Sequence, residues 1–269
     1  YATDAIRRRR ANRRRAAADQ VAYAEAMRAH RQALAAHRRA EARRARIAAG
    51  GGGAAAVLAR FGHRRVWERR PADTDFAAVT LGFAALPPAS AATPGEPAAA
   101  AELWQAPLTI DLRAEGPLGI TGPRRRAAAV GRALVVDLAV AHAPVDVGVW
   151  VFTDTDRAVE WEFIQWLPHA ALGDGVRLAV TPRARRAAVQ SLRGLIDARR
   201  ETLGNDRSAT LLPLQVVVVD GVDVLAAPDL TELLRHGPEA GVIGIVTDVA
   251  VVPEGVRGEV HLGRFDDEC

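Results

Sequence analysis

The chain has 269 residues, 49% hydrophobic and only 5% aromatic, enough for one large core or one core with an extension. Its formal charge of +4 conceals an asymmetry: residues 1–50 carry 14 arginines against Asp4, Asp19, Glu25 and Glu41, a net +10 that leaves −6 for the remainder. A single cysteine, Cys269, excludes an internal disulfide framework, and no run of 18 apolar residues offers a membrane-spanning helix.

From Tyr1 to Ala49 there is no glycine or proline, and alanine and arginine dominate. Both favour helix, so this span is expected to form one helix of about 70 Å at ~1.5 Å per residue. Its larger apolar residues, Ile6, Val21, Tyr23, Met27, Leu34 and Ile47, sustain no heptad seam. Residues 1–49 therefore read as an arginine-rich stalk helix, docked on another component rather than folded against residues 57–269. The charge suits an anionic partner, whether nucleic acid, lipid headgroups or an acidic protein face; a solvated arginine-rich helix is the alternative. Tyr1 followed closely by Arg7–Arg10 also resembles the cytoplasmic flank of a transmembrane helix, so the chain is expected to be a fragment of a longer polypeptide.

Residues 50–107 read as a linker and connecting segment. Gly50–Gly53 offers a flexible joint, Val57–Phe61 a short apolar segment, His63–Arg70 a basic stretch and Ala77–Phe83 a strand. The Ala/Pro-rich stretch Ala84–Pro107 is low in complexity and is expected to be a loop.

Residues 108–269 alternate. Apolar runs stand at Leu108–Leu112, Leu118–Thr121, Val145–Phe152, Val176–Val180, Leu214–Val219, Val242–Val246 and Glu259–Leu262. Helical patterns separate them, notably at 124–142, where Val130, Leu134 and Leu138 share a face, and at about 183–203, with Leu192 and Ile196. This predicts an α/β domain, a mainly parallel sheet with helices on both faces. A run such as Val216–Val219 is what a strand buried on both faces requires.

Leu118–Ala129 has the layout of a phosphate-binding loop, with an apolar strand, Gly122 and an alanine-rich helix. Aligned to G-x-x-x-x-G-K-[ST], Gly122 takes the first glycine, and Ala127, Ala128 and Ala129 replace Gly, Lys and Ser/Thr. The phosphate-reaching lysine and the Mg²⁺-ligating hydroxyl are missing, Pro123 removes a backbone N–H, and the chain contains no lysine at all. Leu214–Asp220 ends in an aspartate as a Walker B strand does, but Gly221 stands where a water-polarising glutamate belongs. Taken alone, Asp220 is as well explained as a turn or cap residue. The domain thus reads as a degenerate P-loop-NTPase-like frame. Its vestigial nucleotide positions are Gly122, Arg124, Ala127, Ala128, Ala129, Asp220 and Gly221. Arg124–Arg126 would meet phosphate at a helix start or simply be solvated. No histidine cluster has metal-ligand spacing and no serine lies in G-x-S-x-G, so neither catalytic residues nor a metal site are expected.

Two further stretches carry a resemblance. Val66–Phe76 with Val79–Gly82 is similar to the W-E-R-R-P-x-D-x-D-F…V-x-x-G signature of EccC proteins, the membrane-anchored FtsK/SpoIIIE-type ATPases of type VII (ESX) secretion. Glu160–His169 resembles their W-x-x-x-x-W-L-P-H element, and Val217–Gly221 their VVVDG motif. The resemblance covers about residues 57–269, and the arm fits the family's stalk. The glycine run at 50–53 and the Ala/Pro insertion near 85–101 depart from it. It implies two transmembrane helices, a stalk, a degenerate ATPase-like domain, then three FtsK-like ATPase domains. This chain would be the stalk and degenerate domain, on the cytoplasmic side of the cell membrane. It would not be an enzyme itself but a structural coupling module in protein export. No cofactor is implied here; ATP and Mg would belong to downstream domains. The implied partners are other channel components, notably the ubiquitin-like cytosolic domain of EccD, and the downstream ATPase domains, within an oligomeric complex. A nucleic-acid-binding module using the arginine arm is the alternative, although the family makes nucleic acid the less favoured partner. On the residues alone, Trp161 and Trp166 read as packing on a short helix ended by Pro168, with a ligand platform as the alternative that keeps both among the interaction candidates. Trp67, beside Arg64, Arg65, Arg69 and Arg70, is either a partner surface with cation–π contacts or a packing anchor.

Overall fold

The glycine- and proline-free span forms a single helix, α1 (Ala2–Ala49). This is a computed structural model, describing residues 2–86, 103–173, 175–205, 213–221, 228–248 and 253–263. They cluster into two units, residues 1–48 with 83–107 and residues 49–82 with 108–269, so the expected connecting segment 50–107 divides between them. Among the described residues no helix is long and apolar enough to cross a membrane.

In the first unit α1 is exposed over most of its length. Its last turns correct the expectation of an arm free of the rest of the chain. Ala42 buries against Ala106, and Arg46 Nη1 donates to Gln105 Oε1 at 2.5 Å. Alanine on both sides permits the close approach. Of the expected loop Ala84–Pro107, residues 84–86 close strand β1 (Ala78–Leu86) and 103–107 open β2 (Leu103–Asp111), and the two strands pair. Residues 87–102 of that loop lie outside the described residues.

The second unit is built on six parallel strands. They are β3 (Leu118–Thr121), β4 (Val147–Phe152), β7 (Leu178–Ala179), β8 (Leu214–Asp220), β9 (Val242–Thr247) and β10 (Gly258–His261). Their order across the sheet is β10-β3-β9-β8-β4-β7. The Val176–Val180 run is shorter than expected: part of it pairs instead in a small hairpin of β5 (Ala171–Leu172) and β6 (Gly175–Val176). Every residue of β4, β8 and β9 is buried. Alternate side chains serve two cores, as period-2 geometry dictates. Val149, Val151, Val216, Val218 and Ile245 meet Leu134 and Leu138 of helix α4 (Arg124–Ala141). Phe152, Val217 and Val219 meet Leu192 and Ile196 of α5 (Pro182–Asn205) and Leu230 and Leu233 of α6 (Pro228–His236) on the other face. Helices therefore cover both faces, as expected, with the short α3 (Leu112–Glu115) leading from β2 to β3. Gly131 lets α4 sit close on β9, since a Cβ there would stand 2.8 Å from Thr247 Cγ2.

The glycine run is a tight turn and not the slack joint the sequence suggested. Gly50 and Gly51 take positive φ, and helix α2 (Gly52–Arg60) begins at once and packs on α4. The turn is held by buried Asp137 of α4, which accepts from the amides of Gly51 (3.3 Å) and Thr80 (3.1 Å). Burial raises the Asp137 carboxyl pKa, while those two amides and the nearby Arg69 charge oppose the shift.

A helix leaves its last carbonyls without partners, and the end of α4 is capped by the tryptophan-motif segments. Trp67 Nε1 donates to Ala139 O (3.1 Å), the Trp67 amide to Val140 O (2.7 Å) and the Arg69 amide to Ala141 O (3.0 Å). His169 Nε2 completes the cap on His142 O (2.8 Å). His142 itself is buried edge-on to Phe76, accepts from the Ala77 amide at Nε2 and faces Leu138 O through Nδ1.

Burial holds the His142 imidazole down at about pKa 4. Protonation would also set a second N–H against the Ala77 amide. A histidine with a depressed folded pKa contributes stability fully above its unfolded value of about 6.5 and loses it as pH falls towards the folded value. Denaturant-measured stability should therefore decline from pH 6.5 to pH 4 by up to about 3 kcal/mol from this group. His142→Gln, which keeps an acceptor for the Ala77 amide, should flatten that part of the profile.

Candidate functional site

The C-terminal ends of β3, β9, β8 and β4 share one edge of the sheet, where open α/β folds place their ligands. At β3 the chain turns straight into α4. Gly122 has φ +119 and lies against Leu262, whose carbonyl a Cβ would strike. Pro123 caps the helix, and its carbonyl already accepts from the amides of Arg126 (2.8 Å) and Ala127 (3.1 Å). The residues that would wrap a phosphate are thus in the first turn of a helix. Ala127 and Ala128 are fully buried, and Ala129 is exposed.

At the end of β8, Asp220 is buried and both its carboxylate oxygens are engaged. Oδ2 accepts from Trp161 Nε1 at 2.8 Å and Oδ1 from the Thr247 hydroxyl at 2.9 Å. Gly221 has φ +120, and a Cβ there would overlap Arg157 Nη1. The space where a side chain at 221 would begin is filled by a guanidinium from the segment after β4.

Arg157 ties that edge together. It donates to Asp220 O (3.3 Å) and pairs with Asp154 (3.3 Å) and Asp248 (2.9 Å). Arg124 joins through Glu160 (3.1 Å) and Asp248 (3.7 Å), and Arg132 holds the other Glu160 oxygen at 2.5 Å. Burial pushes the Glu160 carboxyl up, but the Arg132 and Arg124 guanidiniums outweigh it and leave the pKa below the usual range. For Asp248 burial wins over Arg157 and Arg124, and its pKa is raised. Of the arginines expected at this helix start, Arg124 is consumed in the network, Arg126 reaches Gly263 O (2.9 Å) and Arg125 is exposed.

The structure brings Gly122, Arg124, Asp220 and Gly221, named from the sequence as vestigial nucleotide positions, to one edge of the sheet. Sequence reading missed Asp154, Arg157, Glu160, Thr247 and Asp248. The available signal was the polar run Thr153–Arg157 directly after a buried strand, and Thr247-Asp248 closing another.

The tryptophan-motif residues separate. Trp161 is fully buried and stacks with Phe163, whereas Trp166 is 80% exposed, which corrects its expected packing role. Positions five apart stand about 120° apart on a 3-10 helix and about 140° apart on an α-helix, so Trp161 and Trp166 face different ways on the 3-10 helix Ala158–Trp166. Arg69 is buried, bonding Ala78 O (2.7 Å), Ala49 O (3.3 Å) and Asp75 (3.0 Å), so it is no surface contact residue. Arg65 pairs with Glu68, Arg70 with Asp146, and Arg64 is exposed. Trp67 is 41% exposed with its indole N–H on α4 and its edge towards His169. Cation–π contacts form at Arg113 over Phe76 and at Arg177 over Trp150.

No family model matches the chain. Among curated proteins it is 34% identical over 128 residues to the ESX-4 secretion system protein EccC4 of Mycobacterium tuberculosis, covering 40% of this chain and 10% of that one. It is 28% identical over 178 residues to the ESX secretion system protein EccC of Thermomonospora curvata, covering 58% and 14%. The chain thus spans between a tenth and a seventh of these relatives. Among solved structures, EssC (ATPases 2 and 3) of Geobacillus thermodenitrificans superposes with a TM-score of 0.51 at 17% identity, covering 71% of this chain and 37% of that one. That likeness speaks to the fold: the sheet is of the kind found in these ATPase domains. The resemblance to EccC read from the tryptophan motifs stands, as the curated relatives are EccC proteins of ESX systems.

Trp161→Ala removes a buried ring and one Asp220 donor, and should lower unfolding free energy by about 3–5 kcal/mol. Trp166→Ala should stay within about 0.5 kcal/mol. Urea titrations of the two variants beside the parent chain check both values.

Proposed function

We propose that this chain is a nucleotide-independent coupling module of a type VII secretion motor, linking the membrane channel to FtsK-like ATPase domains of the same polypeptide. In this reading residues 1–49 are its stalk, 50–107 its connecting segment and 108–269 its degenerate ATPase-like domain, on the cytoplasmic side of the membrane. Similarity to EccC proteins supports the secretion context. The observation that carries the module's own role is the Asp220 carboxylate, held by Trp161 and Thr247 beside the Arg157 guanidinium. That donor set is a poor fit to a magnesium nucleotide. It has no lysine, no hydroxyl at 129, a carboxylate whose oxygens already accept two donors, and a helix closed at Pro123. ATP and Mg would be used by the downstream domains of the parent protein, which is itself an ATPase in this reading.

The partner surface follows from exposure. The EccD ubiquitin-like domain and other channel components would meet the exposed part of α1 before Arg38, since the last turns already pack on β2. Arg64, Trp67, Arg70 and exposed Trp166 are further contact candidates.

Two measurements test this. Millimolar Mg·ATP should give no turnover above background and no shift in melting temperature, because binding at a hundredfold excess over Kd would add about 2.7 kcal/mol. Turnover abolished by Asp220→Ala would overturn the reading. Deleting residues 1–26 should leave the melting temperature of the sheet unit unchanged while weakening association with the EccD ubiquitin-like domain.

A further inference from the structure

Helix α5 buries Leu192 and Ile196 and turns its opposite face outward over about 27 Å, from Arg183 to Glu201. Arg183, Ala187, Gln190, Gly194, Asp197 and Glu201 follow one another at spacings of four and three, so they form one ridge, and all six are exposed. The charge on this face is divided: Arg183 and Arg186 stand near its start, Asp197 and Glu201 near its end. No ion pair among the described residues engages any of these four. Arg193 and Arg200 lie on the flank, Arg200 donating to His236 O (3.4 Å). A helix dipole favours acids at the start and bases at the end, yet α5 has no acidic residue in its first turn and no basic one in its last. Gly194 is near the middle, and a Cβ there would meet nothing within 4 Å, so no close contact within the described residues calls for a glycine.

We propose that this ridge pairs with the same ridge of a second copy of the chain, the two helices running antiparallel about a two-fold axis beside Leu192. The ridge positions are symmetric about that point. Arg183 then faces the partner's Glu201, Ala187 the partner's Asp197, and Gln190 the partner's Gly194, with Arg186 alongside the partner's Asp197. Each acid comes to the start of the other helix and each base to its end, where the other dipole favours it. The small residues at 187 and 194 let the two backbones approach. Such a contact uses one patch twice and closes at two copies. A polyanion laid along the ridge would meet Asp197 and Glu201 as well as the arginines, whereas a reversed copy satisfies both signs. One helix per copy makes a small interface, so a dissociation constant of about 10–100 µM is expected. The inference rests on α5 and is independent of the coupling role.

The test is sedimentation equilibrium of the full chain in low salt, from low micromolar to submillimolar concentration. A monomer–dimer equilibrium is expected, and it should weaken as salt screens the ion pairs. Arg183→Glu alone or Glu201→Arg alone sets like charges together at both ends of the pair and should weaken dimerisation by about tenfold or more. Either change suits the helix's own dipole, so the fold should be unharmed. The double variant should dimerise like the parent. An equimolar mixture of the two single variants should form a heterodimer as tight as the parent dimer, because both charge pairs are then restored. Gly194→Leu should abolish the dimer while raising the melting temperature, since leucine is the better helix former. Four results would overturn the proposal: a chain monomeric throughout, single reversals that dimerise like the parent, a double variant or mixture no tighter than the single changes, or a Gly194→Leu variant that still dimerises. Any of them leaves the ATP and EccD measurements standing as separate tests.

Discussion

The Asp220 carboxyl group sits at the end of one of the two central strands of the sheet, and a polar group buried there costs several kcal/mol unless it is hydrogen-bonded. Its two donors come from different parts of the chain: the Trp161 indole from the segment after β4, and the Thr247 hydroxyl from the end of β9. Satisfying one side chain therefore fixes a 3-10 segment over the sheet edge and joins the ends of two neighbouring strands. Trp161 also fills the core beside Leu134 and Ile164, so the polar contact and the apolar packing stabilise the same placement.

Arg157 extends this arrangement to charge. In an ATPase of this fold the strand ends are completed by a cation and phosphates, groups that come and go. Here a guanidinium on the chain itself balances Asp154 and Asp248 and occupies the space beside Gly221. The strand ends are thus joined to one another by the chain's own side chains.

The sheet was legible because buried parallel strands leave continuous apolar runs: Leu118–Thr121 and Leu214–Val219 stand where β3 and β8 are found. α4 and α5 were legible through the i, i+4 spacing of Leu134 with Leu138 and of Leu192 with Ile196. The glycine run misled, because sequence shows that glycine can bend but not that Asp137, 86 residues on, would hold the bend. Trp166 misled because residues five apart share no helix face, so one ring is buried and the other exposed on the same segment. The ion-pair network was invisible for a related reason: Asp154, Arg157, Glu160 and Asp248 look like ordinary loop charges until strand order brings them to one edge. Part of the candidate site was readable from the residues it lacks, and hardly any from the residues that replaced them.

The two tryptophan segments, identified in sequence as a family signature, have a mechanical meaning as well. α4 starts after the Gly122–Pro123 turn and ends at His142, and four carbonyls at its far end need donors. The first segment supplies three, from the Trp67 indole, the Trp67 amide and the Arg69 amide, and the second supplies His169. Trp67 takes φ 60 to do so, a conformation costly for a bulky residue unless its contacts repay it. Arg69 then reaches on to Ala49, Ala78 and Asp75, which anchors the start of β1 and the glycine turn to the same helix end. One helix is thereby held at both ends, by the Glu160 ion pairs near its start and by the tryptophan segments at its finish. The sheet edge and the glycine turn are therefore tied to the same element, and loosening either set of contacts removes part of what positions α4.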